Sequence, residues 1–476
     1  MKLSLTQFLL NHKNRMPVSF HMPGHKGTDI YRENGYGPFL DCIMDCDITE
    51  IPGADNLFQA EGPIKAVMDR YKNLYKTKES YLLVNGSSGG LIAAILTAVP
   101  KGGKLVMARN CHKSIFNALY LGGITPVYAY PETIEEYGIL GAVSVEEVRR
   151  CLDENPDAAA VIVPSPNYYG ICSDVKSIAE EVHKKGKILI VDQAHGAHLK
   201  LFEEYGVEGF PASAETSGAD MVINSIHKTL ASFTQTAVIN LCSDRVDRYD
   251  LEDRLQAIES SSPSYILMSS LELNVDLIET CGSDLLKAWA DNLEWFYNTA
   301  EKEVPGLRIM RHDMLDATKI NLDMSSYGIN GNQLEDYLME KDIFVELVTG
   351  NIVMCMTGIG NRRYDFERLM EALKELAHRL EILDVKPAQP KAVTTSLAMK
   401  GVPTLKERIK IEDAAGRVCA SSVIPYPPGI PLVCPGEVFD EEVIEYIKQR
   451  RAAQEKVIGL DEMGRVVVGR RGSYNG

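Results

Sequence analysis

From about residue 80 to 240 the chain alternates short aliphatic and β-branched runs with longer stretches at helical spacing. The runs are Leu82-Leu83-Val84, Leu105-Val106-Met107, Ala160-Val161-Ile162-Val163, Ile188-Leu189-Ile190-Val191, Met221-Val222-Ile223 and Ala237-Val238-Ile239. Consecutive apolar positions predict strands buried on both faces. Between them, Val175, Ile178, Ala179 and Val182 share one side of a helix, and residues 91–99 read as an apolar helix. Strands of this kind separated by helices predict a mostly parallel sheet covered on both sides. Ligands of such sheets collect at the carboxyl ends of the strands.

The texture changes after about residue 285. Phe366, Leu369, Met370, Leu373, Leu376, Ala377 and Leu380 predict an amphipathic helix with Asp365 as its N-cap, preceded by short strands at 343–345 and 352–354. The expected division is an N-terminal arm over 1–60, a large ligand-binding domain over 61–285 and a smaller C-terminal α+β domain over 286–476. A linker is expected at 386–391 and a rigid proline-rich loop at 424–431. A chain of 476 residues exceeds what one core sustains, which fits several domains.

Charge and cysteines narrow the setting. A net charge of −16 argues against nucleic acid or an anionic membrane as a partner. The start carries only a short, interrupted apolar run, and the longest apolar stretch is well short of a bilayer span, so neither a signal peptide nor a membrane helix is expected. Ten cysteines sit singly, and Cys42 and Cys46 have no second pair at metal-ligand spacing. Reduced thiols in a cytoplasmic protein are expected.

The candidate chemistry lies at the strand ends. Ser225-Ile226-His227-Lys228 follows the run 219–224, and Asp192 closes the run 188–191. A lysine past one strand and an aspartate ending another suit pyridoxal phosphate (PLP): the amine forms a Schiff base with the aldehyde, and the carboxylate keeps the pyridine nitrogen protonated. Asp192 directly after four apolar residues is costly without a cationic partner. Asn85-Gly86-Ser87-Ser88-Gly89-Gly90 can cradle a phosphate where a helix opens, although taken alone a plain Gly/Ser turn is the commoner explanation. His112, in Arg109-Asn110-Cys111-His112-Lys113-Ser114, can stack on a flat ring or simply cap a helix. Asp192, His195 and His198 raise a metal site as a rival, but their spacing is not a familiar zinc arrangement and no water-activating glutamate accompanies them. No metal is expected.

At this point the sequence resembles the Orn/Lys/Arg decarboxylases, PLP enzymes of the aspartate-aminotransferase fold (fold type I). The resemblance is carried by Phe20-His21-Met22-Pro23-Gly24-His25-Lys26-Gly27, Asp47-Ile48-Thr49-Glu50-Ile51-Pro52-Gly53, His112-Lys113-Ser114 and Asp192-Gln193-Ala194-His195-Gly196. It continues through Ser225-Ile226-His227-Lys228, Ser261-Ser262-Pro263-Ser264-Tyr265, Tyr426-Pro427-Pro428-Gly429-Ile430-Pro431 and Pro435-Gly436-Glu437. It implies an α/β large domain with a mostly parallel sheet and a smaller C-terminal α+β domain. Larger members carry an N-terminal wing; this chain starts almost at the first motif and resembles the compact branch without one.

The resemblance also implies roles. Lys228 would be the Schiff-base lysine, His112 the stacking residue and Asp192 the pyridinium partner. Ser87, Ser88, Ser225 and His227 would hold the phosphate, with Gly89 and His195 completing the cofactor set. Ser262 would reach the phosphate of a neighbouring subunit, which implies a homodimer or higher homo-oligomer with shared sites. Glu346 or Glu437 would face the distal cation of a small amino-acid substrate; for each, a surface carboxylate is the plain alternative. The expected reaction is decarboxylation of arginine, lysine or ornithine in polyamine metabolism, with arginine favoured by the compact branch. His227 and Lys228 both remain candidates for returning the Cα proton. Two departures stand out: Gln193 where the family often has glutamate, and a less glycine-rich stretch after Lys228. An aminotransferase or other PLP lyase would use the same cofactor residues with an arginine clamp, for which Arg311, Arg362 and Arg363 are available. A non-catalytic, partner-binding relative is the third reading.

Overall fold

The computed structural model describes residues 4–383, 397–426, 430–452 and 456–470. The expected linker at 386–391, and Pro427, Pro428 and Gly429 of the proline-rich loop, lie outside them. A seven-stranded sheet forms the centre: β1 (Glu79–Leu83), β2 (Lys104–Ala108), β3 (Thr125–Ala129), β4 (Ala158–Pro164), β5 (Ile188–Asp192), β6 (Met221–Asn224) and β7 (Ala237–Leu241), in the order β1-β7-β6-β5-β4-β2-β3. All six apolar runs are strands of this sheet. The additional strand, β3, lies at the edge and contains Pro126, which is why no apolar run announces it. Only β7 runs antiparallel to its neighbours; the remaining pairs are parallel, so the sheet is mostly parallel as expected.

Helices cover the sheet. Helix α1 (Gly86–Ala98) buries Leu91, Ala94 and Ile95 against it, and α2 (Lys113–Gly122) buries Ile115 and Ala118. The short helix α3 (Ile226–Thr229) carries Lys228. The long helix α4 (Tyr265–Glu303) bends at Cys281 and spans position 285; Leu271 and Ile278 before it and Trp289 and Phe296 after it share one core. The same core takes in a four-stranded antiparallel sheet of β8 (Arg308–Ile309), β9 (Lys319–Asp323), β10 (Leu347–Thr349) and β11 (Ile352–Met356), and helix α5 (Arg363–Arg379). The described residues between 397 and 470 surround a separate core that includes Val423, Phe439, Val443 and Val466.

Asp365 is not the N-cap of α5. The helix starts two residues earlier, and from inside its first turn the Asp365 carboxylate accepts the Arg362 backbone N–H at 3.0 Å. The arm is tied down by a parallel pairing of Val18–Phe20 with Ile343–Val345. That pairing leads the His-Met-Pro-Gly-His-Lys segment against α3. The Gly24 N–H donates to the His227 carbonyl at 2.7 Å, and Gly360 N–H donates to the Gly24 carbonyl at 3.0 Å. A Cβ on Gly24 would lie 2.4 Å from the Thr229 carbonyl carbon, so this contact admits only glycine.

Candidate active site

The carboxyl ends of β1, β2, β5 and β6 open on one cavity of about 410 Å³. Ser87, Ser88, His112, Asp192, His195, Ser225, His227, Lys228 and Glu346 all line it. The cavity therefore brings together residues that the sequence places at strand ends, such as Asp192 and Lys228, with residues named through the family resemblance, such as Glu346.

Helix α1 begins at Gly86 rather than at Leu91, with Gly86 at φ +72° making the turn from β1. Ser87 and Ser88 therefore sit in the first helical turn, where backbone N–H groups lack intrahelical acceptors and an anion is favoured. The Ser225 hydroxyl donates to Ser87 Oγ at 2.7 Å, bringing β6 and α1 together. Gly89 does not face the cavity: a Cβ there would meet Asn85 Cβ and Glu259 Oε1 at 3.3 Å, so its smallness serves packing.

His112 both caps and lines. Its Nδ1 accepts the Ser114 N–H at 3.3 Å at the start of α2, which leaves the ring proton on Nε2. Burial, with Lys228 nearby, lowers its pKa to about 3, so the ring is neutral and suited to stacking. Asp192 is buried, and burial pushes its carboxyl up while Lys228 opposes that; among the described residues the carboxyl oxygens accept one hydrogen bond, from the Ala194 N–H at 3.2 Å. Lys228 Nζ meets His195 Nε2 at 2.9 Å, and burial holds the amine below the usual lysine range. Among the described residues the buried His195 Nδ1 has no hydrogen-bond partner, and Tyr168 lies against the ring at 4.9 Å. His227 donates Nδ1–H to the Thr236 carbonyl at 2.8 Å, and burial lowers its pKa to about 4.

The metal rival separates on inspection. His195 turns to Lys228, whereas His198 binds Asp316 and Thr229. Among the described residues no cluster of three or more His, Cys, Asp or Glu could hold a metal ion. The donor set instead fits PLP: an underpartnered buried carboxylate for a pyridinium, a neutral imidazole for a ring face, hydroxyls at a helix N-terminus for a phosphate, and a buried amine for an aldehyde.

Of the two glutamates expected to face substrate, Glu346 lines the cavity and Glu437 does not. Glu346 accepts the Met22 N–H at 2.9 Å. Glu437 is fully buried elsewhere, paired with Arg109 at 3.1 Å and accepting the Cys434 N–H at 2.7 Å. Arg109 also donates to the carbonyls of Pro431 and Leu432, so the pair fastens the C-terminal unit to β2. Ser262 is exposed in the loop before α4 and does not line this chain's cavity. The arginines available for a carboxylate clamp are all elsewhere: Arg311 pairs with Glu301, Arg362 with Glu33, and Arg363 packs on Trp295. Ile424 and Ile458 close the cavity from the C-terminal unit.

Gln193 explains itself through a contact. Its amide donates to Glu215 Oε2 at 2.8 Å and accepts the Ala214 N–H at 2.7 Å. A glutamate here would confront Glu215 with a second carboxylate.

Glu259 escaped the sequence reading because its partners are remote. Its carboxylate accepts the N–H groups of Val84 and Asn85, at 3.2 and 3.0 Å, and so braces the turn into α1. Burial raises its pKa to about 7. The raised value means a stabilising contribution that is complete below about pH 4.5 and lost as pH rises through about 7. Glu259→Gln keeps an acceptor without a charge. Relative to the parent it should gain on the order of 3 kcal/mol between pH 4.5 and 8. Thermal unfolding at both pH values checks this; an unchanged difference in Tm would refute the buried titration.

Comparison with known proteins agrees with this geometry. Residues 4–322 match the family model of the Orn/Lys/Arg decarboxylase major domain, and residues 380–469 match that of the C-terminal domain. The chain is 31% identical over 458 residues to an arginine decarboxylase of Bacillus subtilis, covering 92% of this chain and 91% of that protein. It is 31% identical over 477 residues to an arginine decarboxylase of Halalkalibacterium halodurans, covering 95% and 94%. Lysine decarboxylase A from Pseudomonas aeruginosa shares the fold, with a TM-score of 0.75 at 20% identity over 98% of this chain and 80% of that one. The chain belongs to the Orn/Lys/Arg decarboxylase family and is a PLP-dependent amino-acid decarboxylase.

Proposed function

We propose that the chain decarboxylates arginine to its amine and carbon dioxide, with lysine and ornithine as the competing substrates. The observation that carries the basic-substrate reading is Glu346. Beside Asp192 it is the other carboxylate lining the cavity, and among the described residues its second oxygen has no hydrogen-bond partner, which leaves it for a cationic head group. The arginine relatives support the choice among the three. An aminotransferase reading has no support from the cavity, because no arginine is among its lining residues.

The proposed roles follow from the contacts. Lys228, with its amine held below the usual range, is the nucleophile for the aldehyde. Asp192 holds the proton on the ring nitrogen, His112 stacks, and Ser87, Ser88, Ser225 and His227 bind the phosphate. Bound PLP supplies the sink for the electrons that the departing carboxylate leaves behind. Lys228, not His227, returns the proton to Cα. His227 commits its Nδ1–H to the Thr236 carbonyl, and its other ring nitrogen is the one left for the phosphate. Leu91, Leu347, Ile424 and Ile458 limit water at the reacting carbon.

The test is a competition assay in which PLP-loaded protein receives equimolar arginine, lysine and ornithine. Agmatine with matching carbon dioxide is expected; cadaverine or putrescine in its place would reassign the substrate, and keto acid without carbon dioxide would refute decarboxylation.

A homodimer is part of the same proposal. Helix Leu5–Asn14 buries none of its residues in this chain, and Leu5, Phe8, Leu9 and Leu10 are exposed, while Ser262 stands outside its own cavity. Sedimentation at micromolar concentration should return twice the mass of one chain; the single-chain mass would contradict it. Ten free thiols support a reducing, cytoplasmic setting, and no described helix is long and apolar enough to cross a membrane. Polyamine supply is the proposed role, and unchanged amine pools in a strain lacking the chain would oppose it.

A further inference from the structure

Lys319 on β9 and Asp316 just before it are both fully buried, and neither lines the cavity. Lys319 Nζ donates to Asp316 Oδ2 at 2.6 Å, to Thr318 Oγ1 at 3.1 Å and, closely, to the carbonyl of His195. Asp316 Oδ1 accepts from Thr318 Oγ1 at 2.7 Å, from Thr318 N–H at 3.1 Å and from His198 Nε2 at 3.1 Å. Since the ionised Asp316 has only acceptors to offer, the His198 proton is on Nε2. In that neutral ring, Nδ1 accepts the Thr229 hydroxyl at 3.2 Å.

These contacts reach Lys228 from two directions. Lys319 holds the backbone of His195, whose ring meets the Lys228 amine at 2.9 Å. His198 holds Thr229, the next residue along α3. An ion pair taken fully out of water gains little as a stabiliser over an apolar pair of the same volume. Its position between β9 and the lysine-bearing helix gives it a different use.

We propose that Lys319, Asp316 and His198 form a positioning cluster for Lys228, clamping its two neighbours and setting the field at its amine through the Lys319–Asp316 charge balance. This rests on the reading of Lys228 as the cofactor lysine. The groups that otherwise act on that amine are Asp192, Glu346, His112 and His195, and the cluster contributes the positive charge of Lys319 from outside the cavity.

The test uses the PLP-loaded full chain and follows the pH midpoint of the bound cofactor's visible absorbance. Asp316→Asn leaves the Lys319 charge uncompensated, so protonation beside it becomes harder and the midpoint falls by about one unit. Lys319→Met removes the positive charge and raises the midpoint, and the double variant returns it toward the parent value. Thr318→Val removes a hydroxyl donor without changing charge; it should lower Tm and leave the midpoint in place. Each single variant carries its own sign, so one that fails to fold leaves the other decisive. An unmoved midpoint in the variants that fold and bind PLP would overturn the electrostatic role. A band and midpoint that survive Lys228→Ala would overturn the lysine assignment itself, and the cluster with it.

Discussion

Lys228→Ala should reduce amine formation by on the order of 10⁴-fold or more, since the amine acts at both the start and the end of the cycle. The other lysine lining the cavity is Lys113, which is exposed. Only Lys228 combines a strand-end position, burial that lowers its pKa, and a direct contact to His195. Steady-state rates with a matched Tm check the prediction. Retention of more than a few per cent of parental turnover by a folded, PLP-supplied variant would refute it.

Glu346→Gln should lower kcat/KM for arginine by about 10²–10³-fold, the usual cost of leaving one partner of a desolvated charge pair unmatched. The glutamine oxygen can still accept the Met22 N–H, so the local fold is kept. The loss should fall mainly on KM, and the preference for arginine over a neutral amino acid of similar length should collapse with it. If that preference persists, another group recognises the head of the substrate.

The sequence exposed the strands because each is apolar at consecutive positions, and it exposed the site because Asp192, Lys228, His112 and Ser87 all follow such runs. What it missed depends on distant partners or on weak local signals. Thr125–Ala129 is an edge strand with a proline and half-buried residues, so it resembles a loop. The start of α1 hides in Gly86-Ser87-Ser88-Gly89-Gly90, residues with poor helix propensity, and burial against β1 and β6 overrides that preference. Glu437 reads as a substrate candidate in sequence because its partner, Arg109, lies 328 residues away. Glu346 could be told from Glu437 only once the arm pairing had brought Met22 to it. Gly24 marks a contact with α3 and with the loop at Gly358–Gly360 that no local pattern encodes. Position 285, expected as a domain boundary, falls within a helix whose two halves share a core.

The most direct measurement is borohydride reduction of the PLP-loaded protein, followed by peptide mapping. A pyridoxyl group on Lys228 alone, absent from Lys228→Ala, is the expected outcome. Label on Lys113, Lys26 or Lys319, or label that survives the substitution, would place the reacting amine elsewhere and undo the site described above.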